Sequence, residues 1–338
     1  MKRILAFLPF LFVGNNTAVA SHDHESHAGH GRYAPIGVMG DHLHAKGDWM
    51  VSYRYMHMNM QGNLKGSNHI SNSRIVSPSG ENFLVAPTSM TMDMHMVGIM
   101  YAPSDKVTLM GMVPYLKKSM DHRTRAGSTF TTGSQGIGDV KLMGLYGIRE
   151  WGQEKIHLNI GLSLPTGSIN EKDTLPTGRA RLPYPMQLGS GTYDFMPGLT
   201  YLGQAGDWSW GSQTLATIRL QSDNGNDYRL GNAINITGWF AKQLSDLWSA
   251  SLRVDGQAWG DVHGADPQLN PAVVPTADPN LRGGKRIDLL AGVDFEAPAG
   301  FFQGHRLAIE AGLPVWQNLD GPQLEADWTL TAGWQYVF

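Results

Sequence analysis

Residues 326–338 read ADWTLTAGWQYVF, and apolar or aromatic side chains alternate with polar or small ones along the whole stretch. The apolar set comprises Trp328, Leu330, Ala332, Trp334, Tyr336 and Phe338. Soluble β-sandwiches also contain alternating strands, but those strands are usually only about five or six residues long. A strand that crosses a membrane needs about nine to eleven residues and carries aromatic side chains at the membrane surface. The stretch therefore predicts a transmembrane β-strand.

The same two-residue period recurs in residues 286–296, where charged residues occupy one parity. Arg286, Asp288 and Asp294 alternate there with apolar residues such as Ile287. Because charged side chains cannot face lipid, their parity must face the interior of a closed barrel. Turn residues divide the alternating runs into twelve predicted strands, at 49–60, 90–102, 106–116, 137–149, 155–165, 191–203, 208–220, 228–241, 247–258, 285–296, 305–313 and 326–338. The predicted fold is all-β, a transmembrane antiparallel up-and-down β-barrel of about twelve strands.

The connectors between these strands are alternately short and long. The long connectors are rich in Pro, Gly, Asn and Ser and are predicted to be exposed surface loops; they span 61–89, 117–136, 166–190 and 259–284. Short periplasmic turns and long outer loops give this rhythm in barrels of the Gram-negative outer membrane. An even strand number places both termini in the periplasm. The expected surroundings are outer-membrane lipid and lipopolysaccharide, and the oligomeric state is left open.

The first twenty residues have the layout of a secretory signal. Lys2 and Arg3 precede an apolar run from Ile4 to Val13, and small residues end at Ala20. The predicted organisation is a signal peptide (1–20), a His-rich flexible periplasmic tail (21–48) and an outer-membrane β-barrel (49–338).

Composition excludes several functional classes. The chain has no cysteine, so disulfide and thiol chemistry are excluded. Removing Lys2 and Arg3 with the signal changes the formal net charge from −3 to −5, a balance that argues against nucleic acid as a partner. The stretch Gly136–Asp139 resembles a phosphate loop only in its glycines, because no helical pattern follows it. We find no catalytic set and expect a protein that is not an enzyme.

Methionine is concentrated in one part of the chain. Thirteen of the seventeen methionines lie between residues 39 and 120. In the first three predicted strands they occupy the interior parity, whereas Trp49 and Val51 take the lipid-facing one. Thioether sulfurs are soft ligands that suit Cu(I), or silver as its mimic. The alternative is that methionine, a flexible side chain, simply fills a narrow barrel.

Histidine is biased toward the same region, since nine of the thirteen histidines precede residue 96. Imidazole clusters bind Cu(II), Zn(II) and Ni(II), although a plain solvated tail has the same composition. His57, Asp93 and His95 have the lipid-facing parity. The predicted metal-binding residues are His22, His24, His27, His30, His42, His44, Met56, Met58, Met60, Met90, Met92, Met94, Met96, Met110 and Met112.

Three short motifs carry a family resemblance. They are Gln135-Gly136-Ile137-Gly138-Asp139-Val140-Lys141-Leu142, Leu164-Pro165-Thr166-Gly167 and Gly189-Ser190-Gly191-Thr192-Tyr193-Asp194. In order and spacing they resemble the bacterial family known as "MetA-pathway of phenol degradation". The resemblance implies an outer-membrane barrel involved in transport, often of hydrophobic or aromatic compounds. The Met-rich first hairpin and the His-rich tail depart from that pattern.

Two functional hypotheses follow. The first is an outer-membrane channel that handles copper-like soft metal ions, with Cu(I) or Cu(II) as the metal, through a Met-lined lumen and a His-rich tail. The second is a passive channel for small hydrophobic or aromatic compounds. A non-conducting metal-binding barrel is the remaining alternative, because a twelve-stranded barrel is intermediate between filled and open ones.

Overall fold

The computed structural model describes residues 34–297, 300 and 303–338, and most of them lie in one antiparallel sheet. The strands are β1 (Trp49–Gly66), β2 (Asn68–His69), β3 (Val85–Ser104), β4 (Val107–Thr124), β5 (Thr129–Ile137), β6 (Val140–Trp151), β7 (Glu154–Leu164), β8 (Lys172–Leu175), β9 (Gly178–Arg181), β10 (Asp194–Ala205), β11 (Trp208–Arg219), β12 (Tyr228–Arg229), β13 (Ala233–Gln243), β14 (Trp248–Trp259), β15 (His263–Gly264), β16 (Gly284–Glu296) and β17 (His305–Val337). The helical elements are α1 (Asn72–Val76) and short 3-10 turns at Tyr184–Met186, Pro275–Ala277 and Pro279–Leu281. No helix among the described residues is long and apolar enough to cross a membrane.

The sheet closes on itself because β17 pairs with β1. Within the described part of the chain, the closed ring contains eleven strands, with β5 and β2 attached outside it. β17 contributes two passes: residues 306–319 pair with β16, and residues 319–337 pair with β1. The Gln317 side chain exchanges two hydrogen bonds of 2.9 Å with the backbone of Ala326 where β17 doubles back. The predicted closed, antiparallel all-β barrel is confirmed, with the two last predicted strands joined into one.

Alternating exposure along each strand shows which parity faces outward. In β14, Leu252 is 61% exposed and Val254 is 51% exposed, whereas the adjacent Ser251 and Arg253 are buried. The outward side chains of the other ring strands are likewise mostly apolar. This is the pattern of a barrel with a lipid-facing exterior and a polar interior.

The two ends of the barrel differ. The short connectors, such as Gly152-Gln153 and Gly206-Asp207, lie at the end where the Trp49 and Phe338 backbones exchange hydrogen bonds; we name this the short-turn end. The opposite, long-loop end has longer strands than predicted. The predicted loop 117–136 consists mainly of strand, because β4 and β5 form a hairpin that continues beyond the apolar belt. Outward residues there are polar, so the hydrophobic alternation that defines a membrane strand is lost.

The predicted exposed loop 166–190 also folds differently. Its residues Leu182–Leu188, named the inner loop, turn inward, and Leu182, Tyr184 and Met186 are buried. The Lys118 ammonium on β4 donates hydrogen bonds to the Pro185 and Gln187 carbonyls, at 2.9 and 2.6 Å. These bonds satisfy backbone groups that an exposed loop would leave to water.

Residues 34–44, named the plug segment, correct the prediction of a flexible periplasmic tail at 21–48. The segment lies inside the barrel at the short-turn end, and Ala34, Ile36 and Val38 are buried. The Arg306 guanidinium donates to the Ala34 carbonyl at 2.7 Å. A Cβ at Gly37 would overlap interior side chains, so glycine permits the close approach. The predicted signal peptide and tail residues 21–33 lie outside the described residues.

The parity assignment predicts a position-dependent cost for a charged substitution. Leu252→Arg places a cation in the middle of the lipid-facing belt and should lower the free energy of unfolding by about 2–4 kcal/mol. Leu244, equally exposed at 61% but located in a short turn, is the matched control, and Leu244→Arg should cost only about 0–1 kcal/mol. Denaturant titration of the protein refolded in phospholipid vesicles measures both. Equal costs at the two positions would contradict the assignment.

Candidate functional site

Methionines line one side of the barrel interior, which we name the methionine wall, on β1, β3, β4 and β6. Met56, Met58 and Met60 of β1 stand directly opposite Met94, Met92 and Met90 of β3. The predicted pairing of the two Met-rich runs is therefore confirmed. Their parity matches that of Ser52 and Arg54, which are buried, while Trp49 and Tyr53 on the other parity are exposed. The thioethers of neighbouring strands can contact one another, because opposed Cβ atoms lie about 4.5–5.5 Å apart.

A first row of methionines, the short-turn cluster, crosses four strands. Met50 pairs with Met100, Met100 with Met110, and Met110 with Met143. Met96, Met112 and Met196 are buried in the same cluster. Met39 of the plug segment packs against it. The plug segment thus adds a thioether to the row.

A second row, the long-loop cluster, crosses three strands near the opposite end. Met60 pairs with Met90, and Met90 pairs with Met120. Met186 of the inner loop is fully buried in this cluster. The inner loop thus adds a methionine to this row, as the plug segment does to the first row.

The methionines between the two clusters are only partly buried. This middle band consists of Met56, Met58, Met92 and Met94. Arg286 of β16 approaches the middle band, with its Nη1 atom 3.9 Å from the Met58 sulfur. The middle band is therefore less enclosed than most of the methionines in the two clusters.

The charged wall, on β14, β16 and β17, faces the methionine wall. The Arg253 guanidinium donates two hydrogen bonds of 2.8 Å to the Glu310 carboxylate and lies 3.0 Å from Asp255. Arg286 pairs with Asp288 at 2.9 Å, and Arg306 pairs with Asp294. Because buried charges are stable only when paired, these side chains compensate one another. Three arginines thus face four carboxylates, so the ionised charged wall carries one net negative charge.

Interior side chains hold the plug segment mainly through its backbone. The Gly40 carbonyl accepts hydrogen bonds from Asn159 at 2.8 Å and from His157 at 3.0 Å. Gln213 donates to the Met39 carbonyl at 3.0 Å. Gly40 has a φ of 63°, a left-handed conformation that glycine adopts without strain, and this turn presents the carbonyl to its partners. The plug segment therefore closes the short-turn end and is held there by hydrogen bonds to its backbone.

The plug segment also carries a small titratable group. Asp41 lies 3.0 Å from the His42 Nδ1 atom, and the His42 and His44 rings are 4.7 Å apart. Burial raises the pKa of Asp41, but the charges of His42, Arg306 and Arg54 outweigh it and hold that pKa below its ordinary value. Burial lowers the pKa of His44 from 6.5 to about 3, and the His42 charge adds to this effect. His44 is thus neutral when the plug segment is packed.

The predicted histidine sites divide into two groups. His42 and His44 were predicted on an exposed tail but lie inside the barrel, because the plug segment is held there by its backbone. His22, His24, His27 and His30 lie outside the described residues. Within residues 34–297, 300 and 303–338, no group of three His, Asp or Glu side chains converges as a metal site. Among the described residues, the structure therefore brings the predicted methionines together.

His57, Asp93 and His95 lie on the outer face, as their parity predicts. The His57 Nδ1 atom is 2.7 Å from the Asp93 carboxylate, which also accepts a 2.6 Å hydrogen bond from the Tyr55 hydroxyl. The His57 ring also packs against Trp328. Polar residues replace apolar ones on the outward parity from this level onward, so the cluster marks the long-loop edge of the apolar belt.

Two residues of the long-loop cluster, Met120 and Met186, were not among the predicted metal-binding residues. Met120 has the interior parity of β4 but follows the predicted strand end at residue 116. Met186 lies in a predicted loop, where no periodicity signals its direction. The interior parity, extended past residue 116, would have identified Met120.

Comparison with known proteins identifies the family of the chain and solved structures of similar fold. Residues 77–310 match the family described as "Putative MetA-pathway of phenol degradation". The fold is similar to that of the COG4313 outer membrane channel from Pseudomonas putida F1, with a TM-score of 0.61, 13% identity, and coverage of 89% of this chain and 99% of that one. A FadL homologue from Pseudomonas aeruginosa aligns with a TM-score of 0.41 and 10% identity, over 86% of this chain and 89% of that one. No curated protein sequence matches significantly.

The buried His44 predicts acid release of the plug segment. A released segment binds a proton below the ordinary pKa of 6.5, whereas the packed one resists protonation down to about 3. Stability of the packed state is therefore retained above pH 6.5 and lost progressively as the pH falls toward 3. Conductance of the protein in planar bilayers should rise between pH 7 and about pH 4. His44→Phe keeps a ring without a titratable nitrogen, and an equal rise in this variant would contradict the assignment to His44.

Proposed function

We propose that this chain, which belongs to the family described as "Putative MetA-pathway of phenol degradation", is an outer-membrane channel that passes soft metal ions such as Cu(I) along its methionine wall. The observation that carries the proposal is the continuity of the wall. Methionines extend from the short-turn cluster through the middle band to the long-loop cluster. The plug segment adds Met39 at one end, and the inner loop adds Met186 at the other. The metal ion is the substrate in this proposal.

Thioether chemistry supports passage rather than storage. A methionine sulfur is a soft, neutral donor that favours Cu(I) and Ag(I) over hard ions such as Mg²⁺. Neutral donors leave the charge of the ion uncompensated, so each site binds weakly. Several weak sites in a row allow an ion to leave as well as to enter. The charged wall adds only one net negative charge, because three of its four carboxylates are balanced by arginines.

Orientation and the His-rich tail complete the proposal. The short-turn end faces the periplasm, as short turns do in bacterial outer-membrane barrels. The tail histidines His22, His24, His27 and His30 then lie on the periplasmic side, where their imidazoles bind Cu(II) or related ions before the barrel entrance. The direction of net movement follows the ion gradient in a passive channel.

A second candidate function is a route for small apolar or aromatic compounds, favoured by the family description. Methionine is a flexible apolar side chain, and the middle band could adapt to such a solute. The two candidates differ in one respect that can be tested. Leucine preserves an apolar surface of similar volume, but it removes the sulfur.

The decisive variant therefore combines Met58→Leu, Met92→Leu and Met94→Leu in the middle band. Silver(I) flux into vesicles containing the refolded protein should fall, on the order of tenfold, because the ion loses its soft ligands midway along the barrel. Flux of a small phenol should stay unchanged, because the apolar surface remains. An ion-selective electrode measures the first and absorbance of the trapped phenol the second.

A matched control places equally conservative changes on the outward side of the same strands, as Val51→Leu, Ile99→Leu and Val113→Leu. This control should leave silver flux unchanged. Wild-type vesicles that pass phenol but no silver would support the second candidate and overturn the metal proposal. Vesicles that bind silver without passing it would identify a non-conducting metal-binding barrel.

A further inference from the structure

We propose that Met60, Met90, Met120 and Met186 form one binding site for a soft monovalent cation, Cu(I) or Ag(I), at the long-loop mouth of the barrel. The inference rests on the proposed function and assigns a specific site to it. Two of the four residues, Met120 and Met186, are not apparent from the sequence pattern. The site draws its ligands from three strands and from the inner loop.

Strand register brings the first three methionines to one depth. Met60, Met90 and Met120 are direct cross-strand neighbours. Small side chains lie at both ends of the row, because Met60 pairs with Ala326 of β17 and Met120 pairs with Thr132 of β5. The barrel wall is concave toward the interior, so the outer two side chains lean toward the middle one. The three methionines therefore belong to one packed cluster, with small neighbours on either side of the row.

The inner loop supplies the fourth methionine and is fixed in position. The Ser134 hydroxyl donates a 2.6 Å hydrogen bond to the carbonyl of Met186 itself. Lys118 donates to the carbonyls of the two flanking residues, Pro185 and Gln187. Three successive carbonyls are thus held by side chains of the wall, and the Met186 side chain is fully buried against Met90 and Met120. Met186 thus adds a fourth thioether to the cluster of the row.

The location of the cluster favours ligand capture over structural packing. The outward neighbours of these methionines are polar, including Asn59, Gln61 and Asp121, so the row lies beyond the apolar belt. An ion arriving from the long-loop side reaches this row before the middle band. The nearby Lys118 ammonium repels a metal ion bound at this row. This repulsion keeps the affinity for the ion modest and lets the ion exchange.

The test measures Cu(I) binding by the refolded mature protein, with the free ion buffered by a chromogenic chelator. Met186→Leu should weaken binding at this site on the order of tenfold or more, since even supporting groups at metal sites contribute that much. The pair Met90→Leu and Met120→Leu should abolish it. X-ray absorption at the copper edge should show a sulfur shell in the wild type that loses one neighbour in Met186→Leu.

Leu182→Val is the matched control, because Leu182 is buried in the same cluster and carries no sulfur. It disturbs the packing, whereas Met→Leu largely preserves it, so this control should retain Cu(I) affinity. Equal weakening by Leu182→Val and Met186→Leu would overturn the site in favour of packing. Wild-type affinity in all the Met variants, with silver flux intact, would overturn the site and leave the proposed function standing. A wild-type protein that neither binds Cu(I) nor passes silver would overturn both.

Discussion

Closure of the hydrogen-bonded ring between β1 and β17 is the constraint on which the rest of the structure depends. In lipid, every backbone amide and carbonyl needs a partner within the protein, and only a sheet without edges provides one for each strand. The thirteen residue pairs from Met50–Val337 to Leu64–Gln323 complete that ring. Closure then fixes the direction of every side chain, because successive residues of a strand point to opposite faces. The methionine wall and the charged wall both follow from this alternation.

Two kinds of side chain fill the barrel interior. One side uses arginine–carboxylate pairs, where removal of one partner would leave a buried charge uncompensated. The other side uses methionines, which tolerate change in their surroundings because they are flexible and uncharged. The plug segment contacts both kinds of surface. Arg306 binds the Ala34 carbonyl on one side of the plug segment, while Met39 packs against thioethers on the other.

The sequence predicts those features that depend on periodicity. Strand positions, barrel closure and the opposition of Met58 to Met92 all follow from a period of two applied to an apolar exterior. The prediction was wrong where the chain leaves the membrane, since β4 continues past residue 116 with polar outward residues such as Lys117 and Asp121. It was also wrong for the plug segment, because its partners bind backbone carbonyls, which are the same at every residue. Met186 could not be placed for the same reason, as its loop is held by Lys118 and Ser134 through carbonyls.

The positions of Met39 and Met186 link closure to binding on the proposed path. Each belongs to a segment that occupies one end of the barrel, and each packs against the methionine row at that end. Moving either segment away from the lumen therefore removes one thioether from the adjoining row. An ion held there would lose a ligand in the same movement that opens its exit, so affinity is lowest when the end is open. A channel built in this way needs no separate device to release the ion, because the closing segment is itself part of the binding site.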